Sequence, residues 1–175
     1  MEPSQPSKTP HRIDYRIATL CYVFDANDRV LLIHRRKPPN QHLYSPVGGK
    51  LDTVAGESPA QCAQRELREE TGLELPLERL HLTGLVSETA YQGQTHWLMF
   101  LFEVTVPQVL EEAEHEEGRL AWVRVDDLDA LPMPDTDREI IWPLFWQHRG
   151  GFFSAHIDCR GSEMAWTLDR SMPAD

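Results

Sequence analysis

The 175-residue chain has few cysteines, fewer basic than acidic residues, and no long run of apolar residues. Its three cysteines, Cys21, Cys62 and Cys159, are odd in number and widely spaced, which excludes a disulfide framework or a zinc pattern. This favours a reducing compartment, so we expect a cytoplasmic protein. With no signal-peptide pattern and no apolar run that could cross a bilayer, we expect no membrane partner. The net charge of −11 disfavours a nucleic acid polymer as a partner.

Length and composition predict a single domain. A chain of 175 residues with 41% hydrophobic residues can bury one core. Residues 1–12 are rich in Pro, Ser and charge, and we interpret them as a mobile leader. Residues 13–175 form the predicted domain, and we find no internal repeat in it.

Apolar runs separated by turn residues predict a strand-rich fold with few helices. Residues 14–24 and 30–34 have strand composition and flank an Asp-Ala-Asn-Asp turn, which predicts a hairpin. Residues 80–89 and 96–106 predict two more strands, and the second is apolar enough to be central and to bury Trp97. The other predicted elements are a short strand (119–123), a helix that Thr136 or Asp137 would cap and that runs to about residue 148, and two last strands (152–157 and 163–168). Helices covering a mixed β-sheet place the chain in the α+β class.

One predicted helix carries an unusual cluster of negative charge. Ser58 is a good N-cap and Gly72 a good helix stop, so a helix is expected between them. Glu66, Glu69 and Glu70 follow an i, i+3, i+4 spacing, which places three carboxylates on one face. Like charges at this spacing repel one another. Water and nearby arginines could offset the repulsion, or a hard divalent cation such as Mg²⁺ or Mn²⁺ could bind there.

Residues 48–73, with a glycine pair leading into this helix, resemble the Nudix box, the sequence signature of the Nudix hydrolases. The family pattern is G-x5-E-x7-R-E-U-x-E-E-x-G-U, where U is aliphatic. From the first acidic position onward the match is complete, and it comprises Glu57, Arg65, Glu66, Leu67, Glu69, Glu70, Gly72 and Leu73. Gly49 lies two residues further from Glu57 than the pattern allows, so residues 50–56 carry an insertion.

The resemblance implies a fold and a chemistry. Nudix domains are α/β/α sandwiches with a mixed β-sheet, and they hydrolyse a nucleoside diphosphate linked to another group with Mg²⁺ or Mn²⁺. The metal ligands implied here are the carboxylates of Glu66, Glu69 and Glu70 and the main-chain carbonyl of Gly49. Glu117, in the acidic run before the strand at 119–123, is implied as a further ligand or base.

The resemblance also implies roles around the metal ligands. Arg65 and Glu57 would orient the carboxylates by ion pairing. Glu66, Glu69 or Glu117 would accept the proton of the attacking water, and the sequence leaves these three alternatives open.

The C-terminal part of the chain resembles one branch of this family, the MutT-type oxidised purine nucleoside triphosphatases. In that branch a Trp-Pro-Asp-Asp segment contacts the purine. Met133 stands here at the position of the stacking Trp, and Ser45 at the position of an Asn that contacts the base. Asp135 and Asp137 are then candidates to hydrogen-bond to the base edge, or alternatively caps for the following helix.

Two basic residues complete the candidate substrate contacts. Arg35 belongs to an Arg-Arg-Lys run at the end of a predicted strand, where it could contact phosphate or serve as a solubilising strand end. Lys50 follows the glycine pair and is a further candidate for substrate binding.

Three functional hypotheses follow. The first is a metal-dependent hydrolase that converts an oxidised purine nucleoside triphosphate to the monophosphate and pyrophosphate. The second keeps this small-molecule chemistry but takes ADP-ribose, a dinucleotide polyphosphate or another nucleotide. The third is a non-catalytic nucleotide sensor, which the intact carboxylates at 66, 69 and 70 disfavour.

Overall fold

A computed structural model describes residues 14–114 and 116–174 of the chain. The predicted leader, residues 1–12, lies outside the described residues. The strands are β1 (Tyr15–Tyr22), β2 (Arg29–Arg35), β3 (Tyr44–Pro46), β4 (Leu80–Tyr91), β5 (Thr95–Val104), β6 (Gly118–Arg124), β7 (Phe152–Asp158) and β8 (Ala165–Met172). The helices are α1 (Pro59–Thr71) and α2 (Trp142–Gln147), and a π-helical turn, Asp137–Ile141, leads directly into α2.

The strands form two sheets. The larger sheet has five strands in the order β1-β5-β4-β7-β8, and the smaller has three in the order β3-β2-β6. The β1–β5 and β4–β7 pairs are parallel, whereas β4–β5 and β7–β8 are antiparallel. The predictions of a mixed sheet, of the α+β class and of a central β5 are confirmed.

The predicted hairpin between β1 and β2 is wrong. The turn itself forms, because the Asp25 carboxylate accepts hydrogen bonds from the main-chain N–H groups of Asn27 and Arg29, each at 2.9 Å. Beyond this turn only the single bridge between Phe24 and Val30 joins the strands. The strands then diverge into different sheets, since β1 pairs with β5 and β2 pairs with β3 and β6. Strand composition predicted both elements, but their partners lie far away in sequence.

Helices cover both faces of the strands. Alternate side chains of β1 face opposite sides of the sheet, so each side can pack against a different helix. On one side Tyr22 stacks on Phe145 of α2, with ring centroids 4.2 Å apart. On the other side Cys21 belongs to the same buried cluster as Ala63 and Leu67 of α1. This is the α/β/α arrangement predicted above. In the described part of the chain, no helix is long and apolar enough to span a membrane.

The two helical segments differ in how well their ends were predicted. For α1 the Ser58 hydroxyl accepts from the Gln61 N–H, a full capping box forms, and Gly72 ends the helix at φ 74°. The predicted helix near residue 148 exists as the π-helical turn followed by α2. Its predicted capping is wrong, since Thr136 makes no side-chain cap hydrogen bond and Asp137 lies inside the π-helical turn. A π-helical turn inserts an extra residue per turn, which changes the direction of nearby side chains.

Candidate active site

The site begins where a glycine pair meets helix α1. Gly48 has φ 148°, and a Cβ there would clash with the backbone of Thr19. A Cβ on Gly49 would clash with the carboxylate of Glu66. The Gly48 N–H donates to Glu70 Oε2 at 2.9 Å, and the Gly49 carbonyl accepts from the Thr19 N–H at 2.8 Å. The glycines therefore allow two helix carboxylates to approach the backbone closely.

The three carboxylates of the helix do not share one environment. Glu70 is buried, and burial raises its pKa to about 8, with a further contribution from the charge on Glu66. Burial also raises the pKa of Glu66, although hydrogen bonds from Arg65 act in the opposite direction. Glu69 points outward with 52% of its side chain exposed. Glu66 and Glu70 thus lie together beside the glycine pair, in surroundings that disfavour their ionised forms unless a positive charge is present.

Arg65 organises the entrance to this cluster. Its Nε and Nη2 donate to the two oxygens of Glu57 at 2.8 and 2.9 Å. Its Nη1 donates to Glu66 at 2.7 Å and to Glu69 at 3.1 Å. The bidentate pair lowers the pKa of Glu57 to about 2 and raises the pKa of Arg65. Such paired hydrogen bonds fix the orientation of both groups.

The insertion between Gly49 and Glu57 closes on itself. The Asp52 carboxylate accepts from the N–H groups of Val54 and Ala55, and the Asp52 N–H donates to Glu57 Oε2 at 2.9 Å. Val54 at its tip is 98% exposed. The added residues therefore extend into solvent, and Glu57 still reaches Arg65.

The donor set at the glycine turn fits a hard divalent cation. Across residues 14–114 and 116–174, no three His, Cys, Asp or Glu side chains converge closely enough to hold an ion already. Arg65 donates to Glu66 and the Gly48 N–H donates to Glu70, so each of these carboxyl groups has a protein donor. The carboxyl groups of the partly buried Glu66 and the buried Glu70, with the adjacent Gly49 carbonyl, are nevertheless the oxygen donors that Mg²⁺ and Mn²⁺ prefer.

A cleft of about 350 Å³ starts at this turn, and basic side chains line its mouth. Arg35 and Lys50 both line the cleft. The Nη2 of Arg35 lies 3.4 Å from Glu117 Oε2, and Lys37 pairs with Glu116 at 2.5 Å. Burial lowers the pKa of Lys50, with a further contribution from nearby arginines. This local positive charge contrasts with the negative charge of the whole chain.

The inner end of the cleft combines an aromatic ring with two buried carboxyl groups. Ser45 and Asp137, both predicted to contact substrate, line it. Trp97, predicted to lie in the core, packs against it while partly buried and also lines the cleft. Burial raises the pKa of Asp137 to about 8 and that of Glu88 to about 7. The cleft is also lined by Asn40, Tyr91, Met99 and Thr136.

Two predicted substrate contacts lie elsewhere. Met133 is 5% exposed in the hydrophobic core and borders a separate small cavity with Trp142. Asp135 is exposed and pairs with Arg138 on the outside. Side chains two positions apart on a helix do not face the same way, so the segment that directs Asp137 inward directs Asp135 outward. Of the four predicted base contacts, the structure thus places Ser45 and Asp137 in the cleft and Met133 and Asp135 outside it.

Glu88 is the inner residue that the sequence interpretation missed. It lies on the same face of β4 as the buried residues Val86 and Ala90, and it is itself 3% exposed. The sequence contains a signal for it, because side chains alternate between the two faces of a strand and Glu88 falls on the face that is otherwise apolar. Tyr91 was also missed, and its hydroxyl donates to Asn40 Oδ1 at 2.6 Å.

Comparison with known proteins agrees with this geometry. Residues 14–142 match the model of the NUDIX domain, so the chain belongs to the Nudix hydrolase family. An uncharacterised Nudix hydrolase of Bacillus subtilis, YvcI, is 32% identical over 122 residues, covering 68% of this chain and 73% of that protein. Another protein of that organism, provisionally named an 8-oxo-dGTP diphosphatase, is 28% identical over 126 residues, covering 72% and 78%. The crystal structure of a MutT protein from Bacillus halodurans is similar with a TM-score of 0.69 and 27% identity, covering 88% of this chain and 97% of that one.

Proposed function

We propose that the protein hydrolyses a purine nucleoside triphosphate, with an oxidised purine as the preferred base, to the monophosphate and pyrophosphate with Mg²⁺ or Mn²⁺. One observation carries this proposal. A single cleft joins the carboxylates and basic side chains at its mouth to an inner end containing Trp97, Ser45 and Asp137. This arrangement, with charged groups at one end of the cleft and an aromatic ring with polar groups at the other, matches a molecule with phosphates at one end and a flat polar base at the other.

The mouth of the cleft supports binding of the phosphates. Arg35 and Lys50 supply positive charge, and both line the cleft together with Gly48 and Gly49, whose backbone lies against Glu66 and Glu70. Glu66, Glu70 and the Gly49 carbonyl would hold the divalent cation, with Glu117 beside them. A bound cation neutralises phosphate oxygens and lowers the pKa of a coordinated water.

The protein groups around that site have separate tasks. Arg65 orients Glu66 through a hydrogen bond of 2.7 Å, and the Gly48 N–H orients Glu70. A carboxylate must accept the proton of the attacking water. Glu66 and Glu117 line the cleft, whereas Glu69 does not, so we assign the proton acceptor to Glu66 or Glu117.

The inner end supports recognition of a base. The Trp97 ring offers a face for stacking, an interaction worth about 1–3 kcal/mol per base. Ser45 and Asp137 offer hydrogen-bonding groups in a buried setting, where an unpaired partner is costly. A relative provisionally named an 8-oxo-dGTP diphosphatase supports the choice of an oxidised purine.

A panel of nucleotides tests the proposal. We expect 8-oxo-dGTP and dGTP to yield monophosphate and pyrophosphate in Mg²⁺ or Mn²⁺ but not in EDTA, with the oxidised nucleotide preferred in kcat/KM. ADP-ribose and a diadenosine polyphosphate serve as competing substrates. Cleavage of ADP-ribose without cleavage of either triphosphate would replace the proposed substrate. Nucleotide binding without any cleavage would make the protein a sensor.

A further inference from the structure

Glu88 combines deep burial with an unused hydrogen-bond acceptor. It is 3% exposed and lines the inner end of the cleft. A hydrogen bond to Thr136 involves its carboxylate, but Oε1 has no hydrogen-bond partner in the described part of the chain. A buried polar oxygen without a partner costs folding free energy. A ligand that donates a hydrogen bond would recover that cost.

The strand register places this oxygen beside a flat ring. Glu88 lies directly opposite Trp97 in the antiparallel β4–β5 pair, and both side chains line the cleft. Side chains opposite each other in such a pair lie about 4.5–5.5 Å apart at Cβ. A planar ligand stacked on Trp97 therefore presents its edge to Glu88.

A second carboxyl group faces the same space. Asp137 is 8% exposed and lines the cleft with Glu88, and burial, with a further contribution from the charge on Glu88, raises its pKa. Among the described residues, neither group has an Arg or Lys contributing to its charge balance. Ionising both carboxyl groups in this buried space is unfavourable, so the pair favours a state in which at least one of them holds a proton. Together they offer one hydrogen-bond donor and several acceptors.

We propose that Glu88 is a specificity-determining residue that, together with Asp137, recognises the edge of a 2-amino-6-oxopurine. This edge presents an exocyclic amine, a ring N–H and a carbonyl oxygen, which match two acceptors and one donor. Glu88 Oε1 accepts from the exocyclic amine, and Asp137 interacts with the ring N–H and the carbonyl. The assignment rests on the proposed function, because it identifies the base that the cleft takes.

Binding of two monophosphates that differ by one amine tests the assignment without catalysis. We would measure the Kd of dGMP and of dIMP, which lacks the 2-amino group, by calorimetry in EDTA. Hydrogen bonds to charged groups are worth about 1.5–3 kcal/mol, so the wild-type protein should prefer dGMP by about tenfold or more. In Glu88→Gln this preference should fall below about threefold, because the uncharged amide oxygen accepts a weaker hydrogen bond than a carboxylate oxygen does.

Two further variants separate Glu88 from its neighbours. Asp137→Asn should weaken both monophosphates to a similar extent and preserve their ratio. Asp135→Asn, outside the cleft, should change neither. Circular dichroism would establish that each variant is folded, and the wild-type comparison of dGMP with dIMP needs no variant.

The outcomes distinguish the inference from the proposed function. Equal wild-type binding of dGMP and dIMP, a preference unchanged in Glu88→Gln, or no binding of either would overturn the inference. Hydrolysis of triphosphates is tested separately, by the assay with the panel of nucleotides. Conversely, the protein could hydrolyse no triphosphate and yet lose its preference for dGMP over dIMP in Glu88→Gln. That result would support the base assignment and refute the proposed reaction.

Discussion

Replacing Glu88 by Gln should make the folded protein more stable, and the gain should depend on pH. Burial raises the pKa of Glu88 from 4.5 to about 7. Below pH 4.5 the carboxyl is protonated in both folded and unfolded chains and adds no pH-dependent cost. Between pH 4.5 and 7 the unfolded chain releases its proton first, so the wild type loses stability as pH rises. At about 1.4 kcal/mol per pH unit, the loss above pH 7 is about 3 kcal/mol.

Gln cannot titrate, so the variant should avoid this loss. The groups electrostatically coupled to Glu88 are Asp137, Tyr91 and Cys159. The pKa of Asp137 is raised to about 8 by burial and by the charge on Glu88, so it should fall in the variant and extend the gain slightly above pH 7. Any cost of burying the amide itself is independent of pH and shifts the whole curve.

Urea unfolding at pH 4, 5, 6, 7 and 8 measures the difference in unfolding free energy between variant and wild type. We expect that difference to rise by about 3 kcal/mol across this series. Glu163→Gln, at an exposed position, is the matched control and should give a flat difference. A flat difference for Glu88→Gln as well would show that the Glu88 carboxyl ionises freely in the folded state and refute the reasoning.

Three further predictions concern the cleft. Glu70→Gln should lower kcat by orders of magnitude. It should also abolish the rise in Tm on adding Mg²⁺, because a bound ion stabilises the folded state that binds it. Glu74→Gln, at an exposed neighbouring position, is the control and should have neither effect. Glu57→Gln should lower kcat because Arg65 loses its bidentate partner, and it should destabilise the protein at neutral pH, with the difference shrinking as pH falls from 4.5 toward 2. Trp97→Ala should raise KM about tenfold or more with little change in kcat, and an unchanged KM would remove the stacking assignment.

The features that the sequence predicted well are local ones. The Ser58 capping box and the Gly72 stop act within a few residues of the chain, so their patterns suffice to define α1. The spacing from Glu57 to Arg65 is also fixed by the loop and helix between them. The structure adds that residues 50–56 form a closed loop, which is why the insertion leaves that ion pair intact.

The features that the sequence did not predict depend on distant partners. Residues near 22 and 30 flank a real turn, but the pairing of β1 with β5 is decided by packing between segments some eighty residues apart along the chain. The opposite directions of Asp135 and Asp137 depend on the helical segment in which they lie. Predicting that Glu88 lines the cleft would have required knowledge of which face of β4 meets the cleft. Local patterns thus located the carboxylates at the mouth and, at the inner end, Ser45 and Asp137 but not Glu88.

Negative charge is offset differently at the two ends of the cleft, and this fixes how a substrate can lie in it. At the mouth, Arg35 and Lys50 are present and the carboxylates of α1 fit a divalent cation. At the inner end, Glu88 and Asp137 have no basic partner among the described residues, so a shared proton is the available compensation. A phosphate placed at the inner end would face two buried carboxyl groups, which is strongly unfavourable. An uncharged base that donates hydrogen bonds meets no such repulsion, so we expect the proposed nucleotide to place its phosphates at the mouth and its base inside.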